Sequence, residues 1–299
     1  MKETFKLSLN TGCIVNRYTD PETFLRFVKE KLKINYIQPT SDWLSLYLPK
    51  KITLKNISKL NKSLKKHDIK VNSLFTGAFT RLNHLAHEDK EHQTFWIKWF
   101  KNFIDIGIDI GANHVGSHLG ILSYDDNKKR LKILNERVIK NWFIIAEYAQ
   151  KKKLKSLIWE PMSIAREFGE TLNQCQYIQK SLNKRKFKFD LCLDVGHGDI
   201  KSKNKKDYDP YEWLKKFGSE SPVIHLKQVK KNNFNHMPFT KTNNKDGIIQ
   251  PDKIIKILKN QKNYTAELAF ELSFKEREPM DSNLKRELKQ TIKYWKEFL

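Results

Sequence analysis

Short apolar runs of strand length alternate with amphipathic segments of helical period along this chain, and that alternation restricts its fold more than any other feature of the sequence. Phe5–Leu9 alternates as a strand does. Asp20-Pro21 then supplies a cap and a first-turn proline for a helix whose apolar face is Phe24, Leu25, Phe27, Val28 and Leu32. Further strands are expected near Ile34–Gln38, Ile69–Phe75, Ile104–Ile110, Leu154–Glu160, Phe189–Asp194, Val223–Lys227 and Thr265–Ser273. Helices fall between them: on Leu54, Ile57, Leu60 and Leu64, then over Phe95–Phe103, Leu131–Ala149, Ile164–Leu182 and Tyr211–Phe217, around Ile254–Leu258, and finally on Leu284, Leu288, Ile292 and Trp295. Eight strand–helix units result. Strict alternation implies an α/β protein with a parallel sheet. Eight units in 299 residues imply a closed (β/α)8 TIM barrel, a single domain over 1–299. A doubly wound open sheet is the alternative, and no Gly-x-Gly-x-x-Gly follows the first strand to support a dinucleotide-binding form of it.

Hydrophobic residues make up 39% of the chain, enough for a substantial core, but no apolar run reaches the ~18 residues of a membrane span. The opening MKETFKLSLN has no apolar signal core. Cys13, Cys175 and Cys192 are too few and too scattered for a disulfide framework or zinc ribbon. A cytoplasmic protein without a membrane partner is expected. The formal charge of +23 invites a nucleic-acid reading, yet only nine of the 57 basic residues are arginines, and the lysines are spread along the chain as solvated faces. No specific nucleic-acid partner is expected, although a positive field would attract an anionic substrate. A homodimer is compatible with the sequence.

In such a barrel, function gathers at the C-terminal ends of the strands. The fifth strand ends in Glu160, followed by Pro161. The sixth ends in Asp194, with His197 three residues on. The seventh carries His225 and the eighth Glu271. Side chains alternate along a strand, so His225 should share a side with Lys227, and Glu271 with Ser273. Buried charges are expensive unless paired or metal-bound. One imidazole and three carboxylates suit one divalent ion such as Mn2+, Mg2+, Co2+ or Zn2+.

Glu-Pro after the fifth strand, Asp-x-x-His after the sixth, His on the seventh and Glu on the eighth resemble the xylose isomerase-like barrel superfamily, and within it the ketose 3-epimerases of the tagatose/psicose type. The stretches WEPMSIAREFGET, LCLDVGHGD, VIHLKQ and ELSFKEREP are similar to tetrulose (erythrulose) phosphate epimerases. The resemblance implies a metal held by Glu160, Asp194, His225 and Glu271, with Glu160 and Glu271 also removing and returning the proton beside the ketone through a metal-stabilised enediolate. It implies that His197 contacts the substrate. The free-sugar enzymes place an arginine shortly after the seventh-strand histidine, where this chain has Lys227, Lys230 and Lys231; Lys227 is the expected replacement. A phosphate needs Arg, Lys or backbone N–H groups. Arg81, Arg166 and Arg277 follow the third, fifth and eighth strands and are the expected phosphate or substrate contacts. His84, His114 and His118 lie on the same side; His84 is included among the substrate contacts, and Trp43 and Phe79 are candidate walls. Competing activities are an aldose–ketose isomerase on the same site and an apurinic endonuclease of the endonuclease IV type. The latter needs three zinc ions and an Asp-x-His pair after the seventh strand; Phe234 stands two residues before His236 here.

Overall fold

Each barrel strand is short and apolar because it is covered on both sides, by helices outside and by packed side chains inside. The computed structural model describes residues 4–231, 233–261, 264–274 and 283–299. Its parallel strands are β1 (Phe5–Asn10), β2 (Tyr36–Gln38), β3 in two segments (Lys70–Val71 and Ser73–Phe75), β4 (His114–Ser117), β5 (Ser156–Trp159), β6 (Phe189–Asp194), β7 (Val223–Leu226) and β8 (Ala266–Phe270). β1 pairs with β2 on one side and β8 on the other, aligning Leu9 with Ile37 and with Phe270. β3 completes the circuit: its first segment pairs with β2 and its second with β4. The chain is a TIM barrel.

The surrounding helices begin where local chemistry satisfies their free N–H groups. Asp20 caps Pro21–Phe27 through the Thr23 N–H, Thr171 caps Leu172–Leu182 through Gln174, and Asp209 caps Pro210–Phe217 through Tyr211. The Thr171 cap explains one departure from the sequence pattern. Ile164–Glu170 is loop and short 3-10 turn rather than helix, so Glu167 and Glu170 lie near the barrel mouth. A larger correction concerns Ile104–Ile110. Its alternating isoleucines are helical: Lys90–Asp109 is one helix, burying Phe100, Phe103, Ile104, Ile106 and Gly107 while Ile108 is exposed. The fourth strand is instead His114–Ser117, buried throughout.

A small antiparallel hairpin, Gln228–Lys230 with Asn233–Met237, follows β7 and rises over the mouth. Among the described residues no helix is long and apolar enough to cross a membrane.

Candidate active site

Register sets the site. Asp194 at the end of β6 is level with His225 on β7, and Ala269 on β8 is level with His225, which puts Glu271 just beyond the strand end. Glu160 directly follows β5. One ligand atom from each of Glu160, Asp194, His225 and Glu271 lies within 4.8 Å of the others. His225 is fully buried, and its Nδ1 is 3.0 Å from Glu160 Oε1 and 3.6 Å from Glu271 Oε2. Among the described residues, the buried Glu271 Oε2 has no hydrogen-bond donor, and the buried Asp194 Oδ2 has only the Lys227 ammonium beside it. A buried acceptor such as Glu271 Oε2 is rare, and here it converges with an imidazole and two further carboxylates. The donor set therefore fits a divalent cation of hard or borderline character.

The electrostatics are those of a cluster that favours positive charge. Burial alone would raise the Glu160 carboxyl, but the His225 and His197 imidazoles beside it outweigh that and hold it below the usual range. Burial acts the same way on Asp194, and His197 and Lys227 overcome it, keeping the carboxyl ionised. Burial opposes protonation of His225, whereas the Cys192 sulfur and the Glu271 and Glu160 carboxylates favour it and prevail.

Lys227 points inward, as the alternation predicts, and is completely buried. Its Nζ lies 2.6 Å from Asp194 Oδ2, 3.7 Å from Glu271 Oε2 and 3.0 Å from His236 Nε2. It is a fixed countercharge inside the cage and does not line the cavity above it, where a substrate contact would have to be. Gly196 makes room for it: a Cβ there would stand 2.4 Å from Lys227 Cε. The following Gly198 has φ +122°, so the DVGHGD loop turns as glycine permits and brings His197 back over the site. His197 Nδ1–H donates to the Pro161 carbonyl at 3.0 Å, which turns Nε2 towards Asp194 Oδ2 at 3.7 Å.

Above the cluster is a cavity of about 480 Å³, lined among others by Glu160, Glu271, His197, His236, Arg17 and Arg81. Arg81 pairs with the buried Glu167. Arg17, in the loop after β1, donates to the Cys13 carbonyl at 2.6 Å and the Phe274 carbonyl at 3.4 Å, which aims its guanidinium at the rim. Arg166 does not line the cavity. It donates to the Leu122 carbonyl at 2.6 Å and lies over the Tyr124 ring. Arg277 lies outside the described residues. His84 is buried behind His118, its Nε2 3.2 Å from that of His118, and only His118 reaches the cavity. Trp43 lines a separate hollow, and Phe79 is exposed beyond the rim.

Arg17 and His236 also line the cavity, and the sequence reading gave neither a role in the site. Arg17 meets the same criterion that singled out Arg81, a scarce arginine in a loop after a strand, and could have been found by it. His236 lies on the hairpin after β7, which carries no strand-end signal.

The profile of the xylose isomerase-like TIM barrel family matches residues 29–298. The chain is 34% identical over 293 residues to the D-erythrulose 1-phosphate 3-epimerase of Brucella abortus, covering 97% of this chain and 94% of that one. A solved Rhodospirillum rubrum structure provisionally called a xylose isomerase superposes with a TM-score of 0.88 at 20% identity, over 99% of both chains. A D-psicose 3-epimerase from Clostridium cellulolyticum H10, solved with D-tagatose, gives 0.73 at 13% identity, over 98% of this chain and 99% of that one.

Proposed function

The chain belongs to the xylose isomerase-like TIM barrel family and is an isomerase-class enzyme, and from that premise we propose that it is a metal-dependent 3-epimerase of a short ketose phosphate, of the tetrulose phosphate type. The observation that carries the reading is the Glu160, Asp194, His225 and Glu271 cluster opening into a cavity that also holds two arginines. Those four residues would hold one divalent ion. When bound, the ion would supply Lewis-acid stabilisation of negative charge on the carbonyl and neighbouring hydroxyl oxygens.

Glu160 and Glu271 both face the cavity, so each can reach a substrate lying across the cluster. One carboxylate takes the proton from the carbon beside the ketone, and the electron pair moves onto the carbonyl oxygen. The other carboxyl group returns a proton to the opposite face, and the carbonyl re-forms with that carbon inverted. His197, oriented by the Pro161 carbonyl, turns Nε2 to the polar end of the substrate. Lys227 keeps Asp194 ionised and in place. Arg17, fixed by two carbonyls, and Arg81, beside Glu167, would bind the phosphate at the rim.

The test is to load the protein with Mn2+, Co2+, Mg2+ or Zn2+ in turn and supply one epimer of tetrulose 1-phosphate. Conversion to a mixture of both epimers is expected, resolved by chiral chromatography after dephosphorylation. An aldose product would shift the assignment to an aldose–ketose isomerase. No conversion of tetrulose, pentulose or hexulose phosphates with any ion would refute it.

A further inference from the structure

His225 turns Nδ1 to the carboxylates, and its other nitrogen, Nε2, lies 2.9 Å from Gln38 Oε1 at the end of β2. Which ring nitrogen carries the proton depends on whether Gln38 presents its oxygen or its NH2 group. Two separate hydrogen-bond chains settle that orientation.

The first starts at the Gly12 backbone N–H, which can only donate, and lies 2.8 Å from Asn10 Oδ1. The NH2 end of Asn10 must then face away, and it donates to Gln38 Oε1 at 2.6 Å. The second starts at Lys6, whose ammonium can only donate and reaches Asn72 Oδ1 at 3.4 Å. Asn72 Nδ2 is therefore the end that donates to Glu267 Oε2, at 3.0 Å. The Ser73 hydroxyl donates to the same oxygen at 2.6 Å and, its proton committed, accepts from Gln38 Nε2 at 2.8 Å. Both chains turn the Gln38 oxygen towards His225. Asn10, Gln38, Ser73 and Glu267 are all buried, which keeps these partners from being exchanged for solvent.

We propose that Gln38 is a positioning residue: locked from two sides, it takes the Nε2 proton of His225 and leaves the Nδ1 lone pair for the cation. The inference rests on the metal-site reading above. It assigns a task to β1, β2 and β3, which contribute none of the four ligands.

The experiment is nitrogen-15 NMR of histidine-labelled, zinc-loaded protein, with zinc affinity measured by chelator competition. In the wild type, His225 should carry its proton on Nε2 and ligate through Nδ1. Gln38→Leu removes the acceptor and should weaken zinc binding about 10- to 100-fold, with loss of the single protonation pattern. Gln38→Glu retains acceptor oxygens and should restore the pattern and most of the affinity. Zinc held through Nε2 in the wild type overturns this inference alone, as does a Gln38→Leu protein with unchanged pattern and affinity. Failure of the wild type to bind zinc, manganese or cobalt overturns the metal-site reading and this inference with it. Should Gln38→Leu not fold, the wild-type and Gln38→Glu spectra still decide.

Discussion

Around the mouth of the barrel, β5 to β8 deliver Glu160, Asp194, His225 with Lys227, and Glu271, whereas β1 to β4 end in Asn10, Gln38, Phe75 and Ser117. The two halves have the same backbone architecture and, apart from the partly exposed Glu271, are similarly buried; they differ in charge. At the mouth, Glu160, Asp194 and Glu271 each have a cationic or imidazole neighbour within 4 Å, so these carboxylates are affordable in the interior as a group and not singly. On the neutral side, amides and hydroxyls make directional hydrogen bonds and the histidines stay uncharged. Burial pushes His118 down to about 4 and His114 to about 3. Under the proposed mechanism the chemistry falls to one half and the orientation of its groups to the other.

The largest expected effect is on the charged side. Glu271→Gln keeps the shape and removes a proton-transfer group, so kcat should fall about 10²- to 10⁴-fold while substrate still binds. Equal activity in that variant would remove Glu271 from the mechanism. Next is the rim of the neutral side. Arg17→Gln should raise KM for a ketose phosphate about 10- to 100-fold, the worth of a charge-assisted bond, and leave the unphosphorylated sugar unaffected. An equal loss on both sugars would mean that Arg17 supports the loop and does not read the phosphate.

The smallest effect is on stability, where the halves should differ in sign. His118 and His114 have folded pKa values below the unfolded value near 6.5. Between about pH 6.5 and 4 the unfolded chain therefore binds more protons, and stability falls as pH falls, by up to about 1.4 kcal/mol per pH unit for each group. In metal-free protein His225 acts in the opposite direction: its folded pKa is raised, so its contribution is complete below about 6.5 and is lost as pH rises through the folded value. Urea denaturation across pH 4.5 to 8 should place maximal stability of the metal-free protein near pH 6.5. Replacing His114 with Gln should flatten only the acidic arm.

Much of the charged half was legible in the sequence because its signal is local: an acid or imidazole ending an apolar strand is conspicuous, and alternation correctly placed Lys227 inside. Its partner, Asp194, depended on the register between β6 and β7, which the sequence does not display. The barrel was legible from the alternation of units, but Ile104–Ile110 was not, since isoleucine at every second position fits a strand and, with Phe100, Phe103 and Gly107, also the buried face of a helix. The neutral half was nearly invisible. Asn10, Gln38 and Ser73, with Glu267 of β8, are far apart in the chain and ordinary in type; pairing of β1 with β2 and β8 and closure of the barrel at β3 bring them together. Arg166 and His84 occur in the right loops but face away from the cavity, a distinction that depends on side-chain packing and not on position in the chain.

The most direct test of the central claim is solvent isotope exchange. Metal-loaded protein incubated in deuterium oxide with tetrulose 1-phosphate should place deuterium on the carbon that inverts, in both epimers, and Glu271→Gln should slow that exchange together with epimerisation. Epimers that interconvert without taking up deuterium, or a metal-loaded protein that exchanges no proton beside the ketone, would contradict an account in which Glu160 and Glu271 pass protons across that carbon.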